Sequence, residues 1–273
     1  MPATPATRST VELVAAALAM AGCLLFPPAA AAQDNFQIQV NGSQTVAPGS
    51  TLVELFSNAA AQGTTRTENG VLPSQGAFHE TLGITQGWTA WSETGFFVLT
   101  SVQPDSGWEW AGARVQPRVR VPDGWHLPVG LSLSAQVGYE RRAFSTDTWT
   151  LDIGPTIDKQ WGPWYVAFNP TLGLALKGEN ASRGFEFSPS LKIGYALTSR
   201  ISAGLEYYAG LGPVTGFDRF REQQHQIFPV IDLNLGPKWE FNAGVGVGLT
   251  SATDRLVVKM ILGYRFDWAG PGR

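Results

Sequence analysis

Charge is scarce in this chain. Only 15% of its 273 residues are Asp, Glu, Lys or Arg, against about 25% in ordinary soluble domains, which is too few to cover a water-facing surface. The single cysteine, Cys23, lies in the N-terminal apolar stretch, so the rest of the chain forms no disulfide and no thiolate zinc site. The three histidines, His79, His126 and His225, are far apart and make no i, i+2 or i, i+4 metal pair. Nineteen basic residues against 22 acidic ones give a net charge of −3 without a basic run, so nucleic acid is not a partner. Past the N-terminus no apolar run reaches the roughly 20 residues of a membrane helix. The 31 glycines and the 11% of aromatics exclude disorder and point to a β protein.

Residues 1–32 read as a secretory signal. Arg8 is a short basic start, Leu13 to Phe26 an apolar core, Pro27-Pro28 a break, and Ala30 and Ala32 a small-residue cleavage pattern. Met20-Ala21-Gly22-Cys23 also looks like a lipobox, which would place a lipid on Cys23. The remainder, 33–273, reads as one domain.

That domain alternates with period two. In the closing segment Leu256, Val258, Met260, Leu262, Tyr264, Phe266 and Trp268 alternate with Val257, Lys259, Ile261, Gly263, Arg265 and Asp267. Successive strand side chains point to opposite faces, so one face is apolar and the other carries charge. The same pattern recurs upstream, as in Trp239 to Leu249, Ile201 to Leu211, Phe185 to Leu197 and Ala111 to Val121 by twos. Strands are expected near 50–57, 78–86, 91–101, 109–121, 129–141, 147–158, 163–176, 184–197, 200–211, 226–236, 238–249 and 255–268. Residues 36–41 are a short extra piece, forming with 50–57 an N-terminal hairpin over 36–57. Ten residues rise about 33 Å and span about 23 Å at a tilt near 45°, matching the apolar band of an outer membrane. The fold class is therefore all-β: an antiparallel transmembrane β-barrel of about 12 strands with meander topology. Trp149, Trp161, Trp164, Trp239, Tyr264, Phe266 and Trp268 fall at strand ends, where interfacial girdles sit. Two strands disturb the pattern. Phe96-Phe97 breaks the alternation, with Gly95 as a candidate bulge, and Phe228 and Val230 share a face with Asp232 and Asn234.

Gly263-x-x-Phe266-x-Trp268 resembles the C-terminal signal that outer-membrane barrels present to the barrel-assembly machinery. His79-Glu80-Thr81-Leu82-Gly83-Ile84-Thr85, followed by Trp91-Ser92-Glu93-Thr94-Gly95, is similar to the E-x-x-Y-G-I-T and W-x-E-x-G hairpin of a broad bacterial barrel family of transporters and MetA-pathway phenol-degradation proteins. Leu82 stands where that family has Tyr. The resemblance implies an outer-membrane barrel and names no ligand.

Function then depends on the inward face. This phasing places Arg114, Arg118, Arg120, Lys192, Lys259 and Arg265 in the lumen with Glu140, Asp152, Glu186, Glu206, Asp232 and Glu240; Lys177, Lys238, Asp158 and Asp267 complete a set balanced in sign. Either these charges pair as struts across a filled barrel, or they line a wet, weakly selective pore. Loop 212–225, with Phe217, Phe220, Arg219 and Arg221, can enter the mouth, touch lipopolysaccharide or stay solvated, and Arg141 and Arg142 are placed to meet lipid phosphates. A barrel hydrolase needs a serine activated by an oriented histidine, and neither His79-Glu80 nor Glu222 to His225 supplies that pattern, so no catalytic residue and no cofactor is expected. The expected function is a passive outer-membrane channel for small solutes, including hydrophobic or aromatic ones. The alternative is a non-conducting structural or adhesive barrel acting through its loops. Partners are outer-membrane lipid and lipopolysaccharide, the assembly machinery and a small solute.

Overall fold

The computed structural model describes residues 35–268. The secretory signal and the question of a lipid on Cys23 lie outside the described residues. Twelve strands form a closed antiparallel barrel in sequence order, with the last paired to the first. They are β1 (Ser50–Gln62), β2 (Phe78–Thr89), β3 (Ser92–Gln103), β4 (Gly107–Arg120), β5 (Gly130–Glu140), β6 (Asp147–Trp161), β7 (Trp164–Gly178), β8 (Phe185–Ala196), β9 (Ile201–Gly210), β10 (Gln224–Leu233), β11 (Trp239–Gly248) and β12 (Leu256–Asp267). The longest connections, 63–77 and 211–223, lie at one end, the extracellular end of such a barrel; the other end is periplasmic.

The outside is apolar. On β12, Val258 is 44% exposed while its neighbour Lys259 is 1% exposed, which fixes the face of every residue in that strand. Aromatic rings gather at both rims. At the extracellular end Trp110 stacks on Tyr139 with centroids 5.8 Å apart, and Trp149 meets Tyr139 at a tilt with centroids 5.2 Å apart. Trp164–Tyr195, Trp239–Tyr264 and Tyr264–Phe266 contact at 4.7 to 4.8 Å at the periplasmic end.

The hairpin expected over 36–57 does not form. Both edges of β1 are occupied, by β12 and by β2, so no backbone edge remains for a strand at 36–41. Residues 35–49 instead run without regular structure through the interior of the barrel, from the extracellular half down to the start of β1. Two apolar clusters seat this segment: Phe36 against Phe56, Phe97, Leu99, Ala111, Phe144 and Ile261, and Ile38 against Phe228, Val230 and Val257.

Three local departures from the sequence pattern accompany the plug. Gly95 is no bulge, since β2 and β3 pair in register through Thr85 and Gly95. A Cβ on Gly95 would stand 2.7 Å from the Phe97 ring, so the glycine makes room for that inward ring. Ala111 leaves the lipid-facing file for the interior, because the β3–β4 register shifts between Leu99 and Thr100, whose partners are Gly112 and Trp110. Phe228 and Val230 point inward with Asp232 because Ile38 lies against them.

Candidate transport lumen

Residues 35–46 plug the lumen through side-chain and backbone hydrogen bonds as well as apolar contact. Near the extracellular end Asn35 Nδ2 donates to Asp254 at 2.8 Å, and Asn58 Nδ2 donates to the carbonyls of Asn35 and Phe36 at 3.0 and 3.3 Å. At mid-depth Arg114 Nη1 donates to Gln37 at 2.9 Å, and Lys259 Nζ donates to the Ile38 carbonyl at 3.1 Å. Toward the periplasm Arg118 donates to the carbonyls of Gly42 and Gln44, Arg120 to the Gln44 side chain, and the Val46 N–H to Glu93 at 2.5 Å. A chain with no strand neighbours must find partners for its amides inside an enclosed space, and these wall side chains supply them.

The sequence-derived lumen residues divide into two groups. Arg114, Arg118, Glu140, Asp152, Glu186, Glu240 and Arg265 line a cavity of about 600 Å³ beside the plug. Within it Arg114 pairs with Glu140 at 2.7 Å, Arg118 with Glu93 at 2.6 Å and Arg265 with Glu240 at 2.7 Å. Glu186 meets Arg183 at 3.4 Å. Lys192, Glu206, Asp232 and Lys259 belong instead to a buried network on the β8–β12 wall. Lys192 bridges Glu206 at 3.2 Å and Asp232 at 2.7 Å, and Lys259 pairs with Glu206. The ammonium of Lys259 also lies 5.5 Å from the Phe228 ring and 5.7 Å from that of Tyr208. Arg120 turns to the periplasmic end, where it pairs with Asp123 and Gln44.

The balanced charge of the lumen does not survive this division. Among the described residues, the cations on the cavity are Arg114, Arg118 and Arg265, whereas its carboxylates include Glu54, Glu93, Glu140, Asp152, Glu186 and Glu240. Lys192 and Lys259 are withdrawn into the network, Lys238 pairs with Asp267 and Lys177 is exposed away from the cavity, so carboxylates outnumber cations along the open space. Its free wall, β5 to β8, carries small polar groups such as Ser134, Gln136, Thr156, Asn169, Thr171 and Ser188.

Sequence reasoning missed the plug and its partners Glu54, Glu93, Asn58 and Asn169. The usable signal was the set of apolar residues on inward faces, Phe97, Phe228, Val230, Val257 and Ile261, which a water-filled barrel has no reason to carry.

The family profile described as "Putative MetA-pathway of phenol degradation" matches residues 33–266. The chain belongs to that family. No protein of curated function matches the sequence. Among solved structures, the COG4313 outer membrane channel of Pseudomonas putida F1 is similar with TM-score 0.60 at 10% identity, over 84% of this chain and 100% of that one. The NanC porin aligns with TM-score 0.51 at 8% identity, over 79% and 98%, and the KdgM porin with TM-score 0.50 at 10%, over 79% and 99%. At these identities the likeness is one of fold, that of an outer-membrane barrel.

The loops and histidines complete the picture of this family member. In loop 211–223 the Phe217 ring stacks on Phe187 at 6.2 Å and Phe220 on His225 at 4.8 Å, so the aromatics turn to the outer wall, while Gly212, Asp218 and Glu222 reach the cavity. The plug is the N-terminal segment, not this loop. Arg141 is paired with Glu109 and Arg142 with Glu179. His79 packs on Phe36, His126 sits in the 121–129 turn, and His225 bonds Tyr207 and Gln223, so the three stand on separate elements.

Proposed function

We propose that the protein is a passive outer-membrane channel for small solutes, admitted along the β5–β8 side of the lumen. The observation that carries this reading is the cavity of about 600 Å³ beside the plug, lined by hydroxyl, amide and carboxylate groups. A barrel filled only for stability would close such a space with side chains. Phe36, Phe97, Phe144 and Leu174 also border the cavity, giving it apolar patches for a solute with an aromatic or aliphatic face. The acidic lining favours cationic or neutral solutes over anions.

The plug itself favours a second reading, a filled barrel that acts through its loops. Single-channel recording of refolded protein in planar bilayers separates the two. Discrete conductance steps with a reversal potential favouring cations are expected; a silent bilayer containing correctly folded protein would leave the filled barrel.

A further inference from the structure

The plug is not held equally along its length. Its upper part is held by apolar packing, with Phe36 4% and Ile38 3% exposed, whereas Ser43 in its middle, though 1% exposed, meets polar groups; the upper part is also tied to the charged network through Lys259. Its lower end returns to the wall at Val46, also buried. Between them residues 41–44 cross the lumen toward β6 and β7, while Arg118 and Arg120 of β4 keep hold of the Gly42 and Gln44 carbonyls and the Gln44 side chain. There Asn169 acts as a substitute strand, accepting from the Asn41 N–H at 2.7 Å and donating to the Asn41 carbonyl at 3.0 Å. Asp158 accepts from the Ser43 N–H at 3.1 Å and from its hydroxyl at 2.6 Å, while Tyr165 donates to the same carboxylate at 3.0 Å. Two glycines make the seat possible. A Cβ on Gly42 would lie 2.7 Å from the Tyr165 hydroxyl, and one on Gly130 would lie 2.1 Å from Asp158 and 2.2 Å from the Ser43 hydroxyl.

This crossing separates two spaces. The cavity of about 600 Å³ touches Asn41 and Gly42 from one side, and a second of about 640 Å³, at the periplasmic end between the 121–129 turn and β5–β7, touches Ser43, Asp158 and Tyr165 from the other. We propose that residues 41–44 clasped to Asp158 and Asn169 are the periplasmic gate of the route, opening by release of this clasp while the upper plug stays anchored. The reason lies in what replaces each bond. Water or a hydroxyl-bearing solute entering from either cavity can satisfy Ser43, Asn41, Asp158 and Asn169 in turn, and Arg118 and Arg120 keep Glu93 and Asp123 as partners when the Gly42 and Gln44 groups leave, whereas withdrawal of Phe36, Ile38 or the Lys259 tie would expose apolar surface and a buried charge. The crossing is therefore the segment that yields first, and it is spanned by fixed points at Ile38 and Val46.

The proposal rests on the channel reading, and the experiment separates the two. In a Cys23→Ser background of the full chain, the pair Ser43→Cys with Asp158→Cys bridges the clasp where the two side chains already meet at 2.6 Å and leaves Gly130 in place. Oxidation should abolish conductance in bilayers and reduction should restore it in the same sample, so folding is controlled within one protein. Asp158→Ala with Asn169→Ala should give a several-fold rise in mean conductance. Equal conductance of oxidised and reduced pair, or an unchanged Asp158→Ala, Asn169→Ala protein, overturns the gate. A variant lacking residues 35–47 locates the failure: if it conducts while those variants behave like the parent, the gate alone is wrong, and if it is folded and silent, the channel reading falls with it.

Discussion

Val258 and Lys259 are adjacent and live in different solvents. Val258 meets lipid and Lys259 is 1% exposed in the lumen, so arginine at the first position places a charge in hydrocarbon near the midplane. Val258→Arg should cost about 2–4 kcal/mol, read as a lowered urea midpoint of protein folded into lipid vesicles. Lys259 is a less forgiving site than its charge alone suggests, because Glu206 and the Ile38 carbonyl both depend on its ammonium. Lys259→Gln should lower stability by about 3 kcal/mol, the usual scale for breaking a buried pair, and make the plug easier to cleave by protease. Lys192, which also contacts Glu206, keeps the loss at that end of the range.

At the scale of the element, the plug explains sequence features that the strands alone do not. Inward Phe97, Phe228, Val230, Val257 and Ile261 each touch the clusters that hold Phe36 and Ile38. Glycine at 87 has a related cause. A Cβ there would stand 2.4 Å from the Val46 carbonyl and 2.2 Å from that of Ala47, where the plug bends into β1. Gly87→Val should lift this stem off the wall. The expected result is increased hydrogen exchange of residues 41–47 with β2 itself still protected; equal exchange in both regions would mean that the strand, not the plug, had been disturbed. The strands were legible in the sequence because lipid on one side and a confined lumen on the other impose alternation residue by residue. The extent of β1, which runs to Gln62 past a register shift at Ala60, was not legible, since small residues Ala59 to Ala61 carry no face of their own.

For the whole molecule, closure is decided at the β1–β12 seam. Gly263 pairs with Glu54 and Glu240 on its two sides, and its missing side chain lets both carboxylate stems approach. Trp268 Nε1 donates to Thr51 at 2.7 Å, and its backbone N–H donates to the Gly49 carbonyl at 3.0 Å. Replacing Phe266 and Trp268 by Ala removes the rim aromatics of the closing strand, and we expect less heat-modifiable, membrane-inserted protein on unboiled gels, with material retained in the periplasm. Normal amounts of the shifted band would place the assembly signal elsewhere.

What the sequence determined by itself is the architecture: paucity of charge, period-two alternation and strand length together require a barrel in lipid, because each is a local consequence of the solvent a residue meets. What only the tertiary structure decided is the content of that barrel. Residues 36–40 alternate as a strand does, and nothing local distinguishes a chain that pairs along an edge from one that threads an interior; the difference is that β12 and β2 had already taken both edges of β1. The charge of the open lumen was hidden for the same reason. Whether a lysine faces the cavity or a buried carboxylate depends on the folded wall around it: Lys192 is the register partner of Glu206 on the adjacent strand, but Lys259 reaches the same carboxylate from β12, which no periodicity connects to it.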